Sequence, residues 1–174
     1  MSTSLEMVCR GLFRLGEMPS PALLKQLNRE GYVHWVNVCG LDLQRIYPGL
    51  VLDRFQLQTF FFADVFSQEP VVSDPLLVDR VDGELYESRT GEAEREQFLA
   101  AVQTLVADAH RLEPSYTFCY RGQGRSPAVV LAALGQLFRL PPLALLNTVR
   151  RLRPQAQLTR MSLSALIWSR EHLG

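Results

Sequence analysis

The spacing of apolar and polar positions divides the chain into short extended runs and longer helical ones. Residues 11–15 (G-L-F-R-L) read as a short strand. Ser20 and Pro21 follow as N-cap and first helical residue, since a hydroxyl can take an orphan amide and proline has none to satisfy. Leu23, Leu24 and Leu27 then recur at helical spacing, and that helix stops near Gly31. Residues 32–38 (Y-V-H-W-V-N-V) predict a strand ended by Cys39-Gly40, and residues 51–63 predict one or two extended segments leading into Asp64. From 64 to 91 turn formers and acids alternate without a sustained period, which predicts a long loop.

The helical period returns over 92–112, with Phe98, Ala101, Val102, Leu105, Val106 and Ala109 on one face. Pro114-Ser115 turns the chain into a β-prone run at 116–120. Residues 127–138 are nearly all apolar and predict a buried helix. Pro141-Pro142 restarts a helix through 153 with Leu145, Leu146, Val149 and Leu152 as its face; Pro154 ends it, and Ser162 is placed to cap a last helix. This order predicts an α/β fold: a central, mostly parallel, twisted sheet of about four to five strands flanked by helices, in one domain over 1–174.

Composition narrows the classes. An apolar content of 47% with formal net charge +0 argues against disorder and against bulk attraction to nucleic acid or a membrane surface. Cys9, Cys39 and Cys119 are odd in number and widely spaced, without a C-x-x-C pair, which argues against a disulfide scaffold or a zinc site. No stretch reaches membrane-spanning length and no signal-peptide pattern opens the chain. A soluble, cytoplasmic protein without membrane insertion is the expectation. Oligomeric state is not encoded in any pattern found.

The chemistry concentrates in residues 116–126, Y-T-F-C-Y-R-G-Q-G-R-S. A strand carries Cys119 near its end, a loop holds Gly122 and Gly124, and a helix starts at about Arg125-Ser126. A helix N-terminus presents unpaired N–H groups and partial positive charge, so it attracts anions. Glycines let successive amides curl into a nest, Arg125 offers a planar fork for two oxygens, and the same field favours a thiolate at Cys119. A tetrahedral dianion held above a nucleophile is the arrangement required for phosphoryl transfer.

The string resembles the signature loop of the cysteine-based protein tyrosine phosphatases, in particular the dual-specificity branch, H-C-x-x-G-x-x-R-S/T. The opening unit and the three-helix tail are similar to the same superfamily. The resemblance implies a phosphomonoester hydrolase acting through a phosphocysteine, on phosphotyrosine and in some members phosphoserine or phosphothreonine. It implies a phosphoprotein or phosphopeptide as partner, and no metal or organic cofactor. Cys119 is the implied nucleophile, with Arg125 and the loop residues Tyr120, Arg121, Gly122, Gln123 and Gly124 binding phosphate. Ser126 would donate to the sulfur and also cap the helix. Asp64 is the implied general acid, with Asp74 and Asp82 as rivals whose turn-forming neighbours supply a plainer reading.

Two further residues follow from the resemblance. Arg14 can lie near the phosphate, against the plainer reading of a surface charge. Cys39 can form a reversible disulfide with the nucleophile, against the plainer reading of a small buried thiol. The pattern departs from the family at Phe118, where histidine usually precedes the cysteine. A phosphate-binding relative without turnover, and a phosphatase of a non-protein ester such as an inositol phosphate, are the alternatives. A rhodanese-like transferase fits the loop length less well, and G-Q-G-R-S lacks the lysine of a nucleotide-binding loop. His34, His110 and His172 have no setting that suggests a cysteine–histidine pair.

Overall fold

A computed structural model of the protein describes residues 2–49 and 56–173. Four strands, β1 (Phe13–Gly16), β2 (His34–Asn37), β3 (Gln56–Thr59) and β4 (Ser115–Phe118), pair in the order β1-β4-β2-β3. Every pair is parallel, so the expected α/β sheet is present in its fully parallel form. Ser115 stands opposite both Phe13 and His34, which are the first residues of their strands. The four strands therefore end together, and the loops after Gly16, Asn37, Thr59 and Phe118 converge on one edge. That edge is where open parallel sheets place their ligands.

Burial explains which runs became strands. β2 and β4 are buried along their whole length, as central parallel strands must be. β3, Q-L-Q-T, is mostly exposed, and its polar residues suit an outer strand. The part of the 51–63 expectation that falls on 51–55 lies outside the described residues.

The N-terminal reading is corrected. Residues 2–12 form a helix, α1 (Ser2–Leu12), so Gly11 and Leu12 belong to its last turn and the strand begins at Phe13. Leu5, Cys9 and Leu12 share one face of α1 and reach the core, and Arg10 donates to the carbonyl of Arg151 at 3.1 Å. That packing outweighs the glycine. α2 (Pro21–Arg29) is capped as expected, Ser20 Oγ accepting from the Leu23 amide at 3.2 Å. A short turn, α3 (Leu43–Ile46), follows β2.

The stretch from 64 to 91 is not an open loop. It contains a 3-10 turn (Phe66–Gln68) and two short helices, α4 (Pro75–Val78) and α5 (Glu84–Arg89), and aromatic rings pin the turn and α5. Phe66 stacks on Tyr86 with centroids 6.2 Å apart, Tyr86 meets Trp168 at 5.3 Å, and Phe62 meets Phe98 at 5.5 Å. Each piece is too short to show a hydrophobic period, so the sequence pattern reads as loop.

Four long helices complete the fold: α6 (Glu92–His110), α7 (Arg125–Leu137), α8 (Pro142–Leu152) and α9 (Arg160–Leu173). α7 packs on β1 and β4 and against α6, α8 and α9, and every residue from 126 to 135 is buried. Its nearly uniform apolar sequence reflects that central place. α9 starts earlier than expected. Thr159 and Ser162 cap it reciprocally, each side-chain oxygen accepting the other's amide at 3.3 and 3.0 Å, so Ser162 sits in the first turn. Among the described residues no helix is long and apolar enough to cross a membrane.

At the opposite edge of the sheet His34 lies buried between two carboxylates. Its Nδ1 is 3.5 Å from Asp108 and its Nε2 is 2.5 Å from Glu113, while Arg111 bridges both acids. Burial pushes the Asp108 carboxyl up. This cluster ties the end of α6 to the start of β2 and the approach to β4, a setting for His34 that its strand pattern does not reveal.

Candidate active site

The loop between β4 and α7 is organised by its carbonyls. Tyr120 O accepts from the Met18 amide at 3.3 Å, Arg121 O from Arg153 Nη2 at 3.2 Å, and Gly122 O from Arg153 Nε at 2.8 Å. Gln123 O accepts from the Gln157 amide at 2.8 Å and Gly124 O from the Ala128 amide at 3.1 Å. Five successive carbonyls are thus tied to flanking structure. Among the described residues the N–H groups of Tyr120 to Gly124 donate to no protein acceptor. A run of amides whose carbonyls are all held on the outside is a concave row of donors.

Gly122 is required by this turn. Its φ is +68°, and a Cβ there would sit 2.6 Å from the Glu17 amide nitrogen. The loop therefore presses on the end of β1, which also receives the Cys119 amide at Gly16 O, 3.4 Å away.

Cys119 lies on the floor of a cleft of about 380 Å³ lined by Asp64, Ser67, Tyr120, Arg121, Gln123, Gly124, Arg125 and Gln157. The residue is only 3% exposed, so its sulfur is approached through the cleft. Ser126 Oγ is 3.3 Å from Sγ and 3.4 Å from Gly16 O. The hydroxyl has one proton to give. Both the carbonyl and the sulfur are within its reach. Ser126 does not cap α7, because Gly124 holds the N-cap position and Ser126 lies inside the first turn.

Arg125 opens α7 and reaches across the cleft to Phe62 O at 3.3 Å, while its Nε is buried and has no partner among the described residues. Asp64 hangs over the loop. A Cβ on Gly124 would lie 2.6 Å from Asp64 Oδ1. Ser67 fixes the carboxylate from behind, its amide donating to Oδ1 at 3.2 Å and its hydroxyl to Oδ2 at 2.7 Å. Cys119, Arg125, Ser126 and Asp64 are therefore brought together, although Asp64 lies 55 positions before Cys119 in the chain.

The other acids lie elsewhere in local turns. Asp74 caps α4 through the Leu76 amide at 2.9 Å, and Asp82 accepts from the Glu84 amide at 3.0 Å. Arg14 turns away from the cleft, pairing with Glu30 at 2.7 Å beside the Tyr32 ring. Cys39 is buried, its thiol donating to Asn37 Oδ1 at 3.1 Å; burial pushes that thiol up, against the opposing field of Arg125. Phe118 is fully buried and stacks on Tyr116 at 5.7 Å, so it offers the loop no hydrogen bond.

No family model matches the sequence, and no curated protein matches it. Solved structures match over nearly the whole chain. Tk-PTP in its active form aligns with a TM-score of 0.61 at 20% identity, covering 92% of this chain and 93% of that one. PTPMT1 aligns at 0.66 and 14% identity over 94% and 92%, and human DUSP28 at 0.58 and 21% identity over 92% of each. The fold is that of the dual-specificity-like protein tyrosine phosphatases. Ser67, Arg153 and Gln157, which complete the site in this chain, went unnoticed in the sequence. The spacing of Asp64 to Ser67 was the only available signal, since a serine three places on can return to an aspartate.

Proposed function

We propose that the protein is a phosphomonoester hydrolase working through a phosphocysteine. One observation carries the reading: a thiol, a guanidinium and a carboxyl from separate elements face a single cleft whose floor is a row of unpaired amides. In the reaction the Cys119 sulfur forms a bond to phosphorus as the ester P–O bond breaks. Asp64 supplies the proton to the departing oxygen, because an alkoxide or phenolate leaves poorly; tyrosine's hydroxyl has a pKa of about 10. Arg125 and the amides of residues 120–124 hold the three equatorial oxygens. Water then displaces sulfur from phosphorus, Asp64 takes the water's proton, and the Ser126 hydroxyl stabilises the leaving thiolate. Inorganic phosphate is released and the thiolate restored.

Phosphotyrosine in a protein or peptide is the substrate supported first, with phosphoserine and phosphothreonine next. A second reading, a hydroxyl-rich ester such as an inositol phosphate, is favoured by the polar walls formed by Ser67, Arg121, Gln123 and Gln157. PTPMT1, one of the structural neighbours, was solved in complex with PI(5)P. The test is hydrolysis of a phosphopeptide panel, inositol phosphates and para-nitrophenyl phosphate by wild type, Cys119→Ser and Asp64→Asn. Turnover lost in Cys119→Ser and depressed in Asp64→Asn is expected. Phosphate binding without turnover in the wild type would assign a binding module instead.

A further inference from the structure

The outer side of the loop has a consequence that the reaction above leaves unused. In a trans peptide the C=O and N–H of one unit point in opposite directions. The carbonyls of Arg121, Gly122 and Gln123 belong to the same peptide units as the amides of Gly122, Gln123 and Gly124. One short segment, 153–157, takes all three carbonyls: two on the Arg153 guanidinium and one on the Gln157 amide. Resting on the phosphatase reading, we infer that Arg153 is a positioning residue for phosphoryl transfer, acting through the loop amides without touching substrate.

Three features support this role. The guanidinium fork is planar, so its Nε and Nη2 fix two successive carbonyls in one geometry. Arg153 is in no ion pair among the described residues, so no carboxylate competes with those carbonyls for its guanidinium. A cation at the C=O end of a peptide unit polarises the N–H end, which makes it a stronger donor to a dianion. The fork is itself well anchored. Arg153 caps α8, its amide donating to Val149 O at 2.9 Å, and Pro154 holds it extended at φ −143° and ψ 97°.

The brace comes from outside the strand, where Phe118 has no hydrogen bond to give. The strand beneath the loop supplies an apolar ring where a hydrogen-bonding side chain would have helped order the turn. The order comes instead from downstream, through Arg153 and Gln157, and from Met18 on the opposite flank.

The experiment compares wild type with Arg153→Ala, Arg153→Gln and Arg153→Lys. It measures kcat and KM for para-nitrophenyl phosphate, competitive inhibition by inorganic phosphate, and melting temperature. Arg153→Ala is expected to lower kcat/KM and weaken phosphate inhibition by about ten- to a hundredfold, the loss for removing charge-assisted hydrogen bonds. Arg153→Lys recovers little, because one ammonium cannot fork onto two carbonyls, and added guanidinium restores part of the Arg153→Ala activity. A merely structural arginine would lower the melting temperature while leaving KM and the phosphate inhibition constant of the folded enzyme unchanged; that result overturns the inference. Where Arg153→Ala does not fold, Arg153→Gln, which keeps bulk and one neutral donor, carries the same comparison. A wild type that neither binds phosphate nor hydrolyses the ester defeats the underlying phosphatase reading, which separates the two failures.

Discussion

On the proposed role of Asp64 as proton donor, Gly124→Ala is predicted to weaken proton delivery while sparing the fold. Gly124 has φ −112°, a conformation open to alanine, so no backbone strain is introduced. The new methyl would lie 2.6 Å from Asp64 Oδ1 and 2.7 Å from Ser67 Oγ, where ordinary contact begins at 3.4 Å. Both atoms are side-chain ends, so rotation of Asp64 and Ser67 relieves the contact at the cost of the hydrogen bonds between them. The carboxylate is displaced by about 0.8 Å. A shift of that size in a reacting group costs on the order of a hundredfold. The loss should depend on the leaving group: large for phenyl phosphate or phosphotyrosine, small for para-nitrophenyl phosphate, whose phenolate departs without help. In the Asp64→Asn background Gly124→Ala should add little, since both changes remove one proton donor. Steady-state kinetics of the two single variants and the double variant decide the matter. Equal losses on good and poor leaving groups, or fully additive effects, would refute the reasoning.

Two further outcomes concern the thiols. Burial pushes the Cys9 thiol from 9.0 up to about 11, so it stabilises the fold fully below pH 9 and loses that contribution as pH rises toward 11. Denaturant titrations of wild type and Cys9→Ala should converge across that window; parallel decline would contradict it. Cys39 and Cys119 each follow the hydrogen-bonded pair Val38 N–H and Phe118 O, 2.9 Å apart, at neighbouring strand ends. Mild peroxide is therefore expected to yield a Cys39–Cys119 disulfide in a peptide map, and a map with only overoxidised Cys119 would count against it.

The fold was legible wherever a segment was long enough to repeat its pattern. α2, α6, α7 and α8 carry apolar stripes over several turns, and β2 and β4 carry unbroken β-prone runs. α1 was missed because its buried face is one thiol and two leucines, broken by Gly11. The turn at Phe66 and α5 read as loop because rings from Phe98 and Trp168 hold them in place, and α4 because it is a single turn. The chemistry followed the same division. Cys119, Arg125 and Ser126 are neighbours in sequence, and Asp64 stands at the close of an apolar run. Arg153 and Gln157 enter only through folding, since nothing in L-R-P-Q-A-Q connects it with a loop thirty-odd residues earlier. His34 shows the converse limit: an ordinary strand residue by pattern, it joins Asp108, Arg111 and Glu113 in a polar cluster once α6 and β4 are in place.

Because residues 153–157 supply outer bonds of the β4–α7 turn, the cleft around Cys119 is finished by the C-terminal portion of the polypeptide. During synthesis the cysteine emerges well before its brace. A nascent chain can thus present Cys119 before the turn around it is braced, and on the proposed reading turnover needs the chain through Gln157.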